Sequence, residues 1–308
     1  MNATTALTTN RPHALSAVVE MVTDAVTSEH TKRAYERALV DFVNWHGDTG
    51  RAGLDKATVN AYVAHLRSAG TSASSINQRL VAIRKLAREA ADNGLIDQSA
   101  AGAIARAEGV RSEGKRLGNW LSKEDAQRLL DAPDITTLKG LRDRAILAVM
   151  LGAGLRRSEV AALTFEHIQQ REGRWVIVDL IGKGKRVRTV PIPSWAKQAI
   201  DEWTQTAGIS EGRIFRAVNK GDRLAGESLT SQAVQDVVKL YAKQCGFELA
   251  AHDLRRTFAK LARKGGADLM QIQLTLGHAS VKTTERYLGE NQDLTTAPCD
   301  VLGLKLYQ

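Results

Sequence analysis

The stretch Leu276-Gly277-His278-Ala279-Ser280 predicts the end of one helix and the start of the next, so the region around it is predicted to be helical. Glycine readily adopts the left-handed conformation that ends a helix, and a serine can cap the next helix. His278 is therefore predicted to lie at the joint, with Tyr287 nine residues later on the second helix. A single tyrosine on a helix is usually a packing residue, so Tyr287 becomes a functional candidate only with further support.

A second histidine and an arginine share one face of a predicted helix in His252-Asp253-Leu254-Arg255, because residues three apart on a helix are neighbours. The helix continues with further cations and no acid between them: Arg256, Lys260, Arg263 and Lys264. A solvated face usually mixes both signs, so this run favours contact with phosphate groups. Arg256 is accordingly a predicted DNA-binding residue.

An arginine follows a glycine-rich turn in the stretch Gly152-Ala153-Gly154-Leu155-Arg156-Arg157-Ser158-Glu159. Glycines allow a tight turn, and Ser158 is predicted to cap the next helix. An arginine held rigidly on such a turn suits two-pronged recognition of a phosphate. By itself the stretch is also a common joint between two helices.

Residues 175–181 and 186–192 have the β-branched, alternating composition of two strands, joined by Gly182-Lys183-Gly184-Lys185. The tip lacks the spacing and the Ser/Thr of a nucleotide-binding P-loop, and a strand follows it rather than a helix. A lysine between glycines on a hairpin tip can reach a ligand, although it is equally a common solvated turn. One basic group is expected to face phosphate here: Lys183, Lys185, Arg186 and Arg188.

The amino-terminal third predicts a small helical bundle. Ser28 can cap a first helix that ends near residues 47–50, and a second helix stops at Gly70. A third helix buries Ile76, Leu80 and Ile83, and its other face is basic and predicted to face DNA through Arg79, Arg84, Lys85 and Arg88.

The expected fold is mainly α, with a helical DNA-binding bundle and a mostly helical catalytic domain that contains a small antiparallel sheet. Residues 1–27 are expected to be disordered and residues 28–108 to form the bundle. Residues 109–118 are glycine-rich and charged, which is typical of a linker. Residues 119–308 are expected to form the catalytic domain with a carboxyl-terminal tail.

The formal net charge is +9, of which residues 1–110 carry +1 and the remainder +8. A basic balance favours a polyanionic partner, and the second part of the chain holds the excess. No run approaches the ~20 apolar residues that cross a bilayer, and no secretory signal is visible. Two cysteines cannot form a disulfide framework, and no set of ligands suggests a metal. We expect a cytoplasmic protein without metal or cofactor.

Taken together, two arginines, a lysine, two histidines and a tyrosine meet the needs of phosphodiester transfer through tyrosine. Arginine forks stabilise charge on the non-bridging oxygens of a phosphorane-like transition state. A lysine can protonate the leaving 5′-oxygen. A tyrosyl phosphate ester preserves the energy of the broken bond, so that no ATP is consumed.

These segments closely resemble the phage integrase, or tyrosine recombinase, family in its simple two-domain form. The resemblance covers nearly the whole chain and rests on Gly154–Glu159, Ile181–Gly184, His252–Phe258, Leu276–His278 and Thr283–Tyr287. All six active-site positions are present. Arg157 stands where the family more often has an apolar residue.

The resemblance implies a role for each residue of the site. Tyr287 would attack the scissile phosphate and form a 3′-phosphotyrosine, with Lys183 as the general acid. His252 would assist the transfer of the tyrosine proton, and Glu159 would support the site without touching DNA. Three residues would stabilise the transition state: Arg156, Arg255 and His278.

The resemblance also implies partners. The substrate would be double-stranded DNA with inverted half-sites, clamped between the two domains, and a homotetramer would assemble on two duplexes, with accessory proteins in some systems. The apolar tail, with Leu294, Val301, Leu302 and Leu304, would dock on a neighbouring subunit, or else fold back on its own domain.

Two alternatives stay open at this stage. A topoisomerase-like enzyme could nick and relax DNA with the same residues, but the size and the motifs favour a recombinase. A DNA-binding protein of the same fold could have lost catalysis, but the complete set of six residues argues against it.

Overall fold

The computed structural model describes residues 19–51, 53–111, 119–182 and 187–288. The chain divides into two compact units, Met1–Lys115 and Arg116–Gln308. Of the predicted linker, residues 109–111 are described and residues 112–118 lie outside the described ranges. Val110 is tied to the first unit, because Asn77 Nδ2 donates to its carbonyl oxygen over 2.9 Å and its own N–H donates to Asn77 Oδ1 over 2.8 Å.

The first unit is a helical bundle. Three of its helices begin at side chains that accept a backbone N–H from the first turn: Ser28, Asp55 and Ser72. These hydrogen bonds satisfy donors that the helix itself leaves unpaired. The core includes Leu39, Tyr62, Ile76, Leu80 and Ile83. The helices are α1 (Glu29–Asp48), α2 (Lys56–Ser68), α3 (Ala73–Asp92) and α4 (Gln98–Ala105).

The expectation that residues 1–27 are disordered is wrong for residues 19–24, which are helical. Val22 is fully buried in the core of the first unit, and Val19 and Met21 pack against the same core. The burial of these apolar side chains stabilises the helical turn. Residues 1–18 lie outside the described residues.

The second unit is built around one long, almost fully buried helix, α6 (Leu138–Ala153). Its second half, residues 145–151, is buried and apolar on all sides, as expected for a core element, and its first half carries the buried ion pair of Arg142 and Asp143. The other helices are α5 (Lys123–Asp131), α7 (Arg157–Ala162), α8 (Ser194–Thr206), α9 (Ser231–Gln244), α10 (Ala251–Lys264), α11 (Leu269–Leu276) and α12 (Val281–Leu288).

A three-stranded antiparallel sheet lies between α7 and α8 in the chain, in the order β1 (Ile168–Arg171), β2 (Arg174–Ile181) and β3 (Val187–Pro191). The predicted hairpin corresponds to β2 and β3, where Ile177 pairs with Val190. Strand β1 was not predicted, because four residues with the sequence IQQR carry little strand signal. The prediction of a mainly helical fold with a small antiparallel sheet is confirmed.

Within the described ranges, no helix has the length and apolar character needed to cross a membrane.

Candidate active site

Arg156 immediately precedes α7 and is fixed there by Glu159, which lies on the first turn of that helix. The N–H of Arg156 donates to Glu159 Oε2 over 2.8 Å, and its Nη1 donates to Oε1 over 2.8 Å. The predicted cap at Ser158 is wrong, since the helix begins at Arg157 and the Glu159 carboxylate takes the N-terminal donor instead. Arg156 remains 31% exposed, so its guanidinium can still reach a ligand.

Arg188 on β3 forms a second ion pair with the same carboxylate. Its Nη1 and Nη2 donate to the two oxygens of Glu159 over 2.9 and 2.8 Å, and its Nε donates to the carbonyl oxygen of Thr275 over 2.9 Å. The side chain is only 9% exposed. The expectation that Arg188 faces phosphate is therefore wrong, because its donors are engaged inside the protein.

Glu159 is the acceptor that holds both arginines. Burial alone would raise the pKa of its carboxyl, but hydrogen bonds and charge from Arg188 and Arg156 outweigh this effect and lower the pKa to about 2. The group is therefore ionised across the neutral range and holds the side chains of Arg156 and Arg188.

Arg255 lies on α10 and joins the two glycine turns. Its Nη1 donates to the carbonyl oxygen of Gly154 over 2.6 Å, and its Nη2 donates to that of Leu276. The residue is 1% exposed, so a ligand can meet it only at the floor of a depression.

His278 lies at the joint between α11 and α12, as predicted. The turn depends on Gly277, whose φ of 62° is in the left-handed region. The ring Nδ1 of His278 is 2.9 Å from the hydroxyl of Thr284, which is fully buried. Burial, followed by the charges of Arg255 and Arg156, lowers the pKa of His278 to about 4, so the free protein holds a neutral imidazole at pH 7.

His252 stands on the first turn of α10, three residues before Arg255. That turn is fixed by Gln235 of α9, whose Oε1 accepts the N–H of Ala251 over 3.0 Å. The partial burial of the ring is the main cause that lowers the pKa of His252, and the charges of Arg255 and Arg256 act in the same direction. More than a third of the residue's surface nevertheless remains accessible.

An open depression of about 450 Å³ brings several of these side chains together. None of the described residues that line it is acidic, and its polar lining comprises Arg156, Arg157, Ser158, Gln235, His252 and Arg255. Arginine forks concentrated in this way suit a phosphate diester.

The remaining predicted catalytic residues are only partly described. Tyr287 lies on α12, the helix that begins at Val281, shortly after His278. Lys183 and Lys185, together with Arg186, lie outside the described residues, between the ends of β2 and β3. The roles of all six catalytic residues stay predictions.

The predicted DNA-binding residues of α3 have internal partners in three of four cases. Arg79 pairs with Asp41 over 2.7 Å, Arg84 donates to the carbonyl oxygen of Ala107, and Lys85 pairs with Glu89 over 3.0 Å. Arg88 is exposed. The prediction that this helix faces DNA therefore rests most directly on Arg88.

The basic run on α10 is also partly engaged within its own unit. Arg256 pairs with Asp253 over 3.1 Å. Lys260 and Lys264 lie over the ring of Trp120, 4.7 and 4.8 Å from its centroid. A cation on an aromatic face keeps its charge, so contact with phosphate stays a prediction for these residues.

Sequence reasoning missed three residues that shape the site. Arg188 was placed with the phosphate-facing cations, because its partner Glu159 is 29 residues away in the chain. Thr284 and Gln235 are polar residues on helices, and only their burial beside His278 and Ala251 indicates a role. A usable sequence signal existed for Thr284, which lies within the segment Thr283–Tyr287.

Comparisons with known proteins identify the family of the chain. A model of the phage integrase family matches residues 119–293, and a model of the phage integrase N-terminal SAM-like domain matches residues 20–94. The chain is 33% identical to the tyrosine recombinase XerC of Pseudomonas entomophila (strain L48), over 84% of this chain and 85% of that protein. It is 32% identical to XerC of Xanthomonas axonopodis pv. citri (strain 306), over 89% and 92%.

Two solved structures share the fold. One is the XerH site-specific recombinase bound to palindromic difH substrate in a post-cleavage complex, with a TM-score of 0.67, 20% identity and coverage of 85% of this chain and 76% of that one. The other is a lambda integrase dimer bound to a COC′ core site, with a TM-score of 0.67, 17% identity and coverage of 90% and 77%. The chain therefore belongs to the phage integrase family of tyrosine recombinases, enzymes that transfer DNA strands.

Proposed function

We propose that this recombinase breaks and rejoins DNA through a covalent bond between Tyr287 and a 3′-phosphate. The observation that carries the proposal is the single depression lined by Arg156, Arg255 and His252. His278 has Arg156 and Arg255 close enough to lower its pKa, and α12 carries Tyr287 directly after the His278 turn. A phosphate diester in the depression would thus meet two guanidinium groups beside the nucleophile's helix.

The reaction exchanges one phosphate ester for another. The oxygen of Tyr287 forms a bond to phosphorus while the bond to the 5′-oxygen breaks, and the tyrosine proton passes to His252. Lys183 gives a proton to the leaving 5′-oxygen. The reverse attack by a 5′-hydroxyl of another strand releases the tyrosine, so no cofactor, metal or ATP takes part.

Transition-state charge on the non-bridging oxygens is stabilised by Arg156, Arg255 and His278. Because the pKa of His278 is about 4, the ring is neutral and acts as a hydrogen-bond donor. We assign the ring proton to Nε2, where it would bond a phosphate oxygen, with Nδ1 accepting from the Thr284 hydroxyl that lies 2.9 Å away.

The substrate we propose is double-stranded DNA with inverted half-sites. The solved relatives include XerH on a palindromic difH substrate and a transposon integrase in complex with transposon right end DNA. Two duplexes and four copies of the chain would complete the exchange, within the cytoplasm. The relatives named XerC and the transposon integrase favour integration, excision or dimer resolution as the outcome.

The test is a suicide duplex whose nick lets the 5′-end diffuse away and so traps the intermediate. The full chain should give an adduct resistant to SDS, also in EDTA, and Tyr287→Phe should abolish it because the nucleophilic oxygen is missing. Tyr35→Phe, which removes a partly buried hydroxyl in the first unit, is the matched control and should leave the adduct unchanged.

An adduct that persists in Tyr287→Phe would show that another residue is the nucleophile. Specific DNA binding by the unaltered chain without any adduct would instead favour the catalytically reduced DNA-binding protein of the same fold.

A further inference from the structure

Arg157 shares the depression with Arg156 and Arg255 but has no part in the proposed chemistry. It is the first residue of α7 and is exposed, whereas Arg255 is buried. It also stands at the position where the sequence departs from the apolar residue more usual in the family. An exposed arginine in a wall of the site needs an explanation that packing does not provide.

The surroundings of Arg157 orient its side chain without neutralising it. Its Nη1 lies 3.5 Å from Oε1 of Gln232, on the first turn of α9. The Nε2 of Gln232 in turn donates to Asp236 Oδ1 over 2.9 Å, which fixes the direction of the amide. Among the residues that the structure describes, Arg157 forms no ion pair, so a neutral amide is its partner.

Arg156 and Arg157 cannot serve the same oxygen atoms. Successive side chains at the start of a helix point in different directions, and Arg156 is held towards Glu159. Arg157 leans instead towards α9, on another wall of the same depression. A strand whose scissile phosphate lies against Arg156 therefore presents a different phosphate to Arg157.

We propose that Arg157 binds a backbone phosphate adjacent to the scissile one and sets the register of the cleaved strand. This rests on the proposed function, because it takes the scissile phosphate to lie against Arg156 and Arg255. Arg157 is a positioning residue: it holds DNA and does not touch the reacting atoms. Its loss weakens binding and lowers the slope of log affinity against log salt by about 0.9, the share of one phosphate.

The experiment pairs variants with DNA in which single phosphates are replaced, one position at a time, by uncharged methylphosphonates. Affinity and the rate of adduct formation are measured for the full chain, Arg157→Leu and Arg157→Lys. We expect one phosphate beside the cleavage site whose replacement weakens DNA binding by the unaltered chain about five-fold. The same replacement should leave DNA binding by Arg157→Leu unchanged, because the contact is already lost in that variant. Arg157→Lys keeps the charge and should retain most of the sensitivity.

Arg171→Leu removes an exposed arginine from β1 and serves as the matched control, with the methylphosphonate pattern expected to stay as it is. Circular dichroism checks that the Arg157 variants fold. The proposal is wrong if each methylphosphonate lowers the DNA affinity of Arg157→Leu and of the unaltered chain by the same factor. It is also wrong if the affinity lost in Arg157→Leu depends on the identity of the base pair and not on the charge of the phosphate. If the unaltered chain forms no adduct, the proposed function fails instead.

Discussion

Glu159 accepts four hydrogen bonds, two from Arg188 and two from Arg156, on a side chain that is 7% exposed. Such a group is costly to neutralise, because the buried cation of Arg188 would lose its partner. Removing one member of a buried pair typically costs several kcal/mol. The residue therefore contributes to the stability of the second unit and fixes the orientation of the Arg156 side chain.

Glu159→Gln should lower the free energy of unfolding of the second unit by about 3 kcal/mol. Four of the five tryptophans lie in that unit, so their fluorescence in urea follows its unfolding. The folded pKa of about 2 lies below the ordinary value of 4.5, so this stabilisation is complete above pH 4.5 and is lost as pH falls towards 2. The variant should lack that part of the acid dependence.

Glu211→Gln changes an exposed carboxylate of the same unit and should cost less than about 0.5 kcal/mol. Equal losses in the two variants would contradict the role given to Glu159.

The imidazole of His278 should titrate near pH 4 in the free protein, since burial and the neighbouring arginines disfavour its charged form. Because the folded pKa lies below the unfolded value, this group makes stability rise with pH between about 4 and 6.5. The ring resonances in an NMR titration give the midpoint directly. DNA that carries the scissile phosphate should raise it, since the anion favours the imidazolium.

Thr284→Val removes the hydroxyl that contacts Nδ1 and should shift the nitrogen resonances of the ring without unfolding α12. A midpoint near 6.5 in the free protein would mean that His278 is not held among the arginines.

At the scale of the elements, the turn between α11 and α12 places His278 through Gly277. That glycine has a φ of 62°, and a Cβ on it would lie 2.9 Å from Cδ of Arg188. Gly277→Ala should therefore destabilise the second unit by the left-handed strain of about 1–2 kcal/mol plus the displacement of Arg188. Chemical denaturation and the rate of adduct formation measure the two effects.

Gly208→Ala is the matched control, because that glycine has a φ of 65° with open space around its Cα. It should show the backbone strain alone and leave adduct formation unchanged. If both variants behave alike, contact with Arg188 is not what makes Gly277 necessary.

Local signals predicted many helix starts and failed where a partner distant in the chain decides the structure. Ser28 and Ser122 cap helices because their hydroxyls accept an N–H three residues ahead, which the sequence can indicate. Ser158 does not, because Glu159 satisfies the N–H of Arg156 and also binds Arg188 on a strand. Such a choice depends on tertiary packing.

At the scale of the whole molecule, the sequence predicted the fold class from periodicity, and family comparison confirmed the recombinase family that its motifs indicated. The sequence predicted which residues belong to the candidate site, but not the contacts between them. Nothing in the spacing of Gly154 and Leu276 reveals that one guanidinium bonds both carbonyl oxygens. The predicted limits of the domains stay predictions, since residues 112–118 lie outside the described ranges.

The bridge that Arg255 makes between the two turns has a thermodynamic consequence. A long side chain loses rotamer freedom when it is ordered, and for arginine this cost is on the order of 2 kcal/mol. Here the loss occurs during folding, because both carbonyl contacts exist before any DNA arrives. The entropy lost in ordering this arginine therefore lowers the stability of the folded protein and does not lower the affinity for DNA. The substrate meets a guanidinium that is already in place.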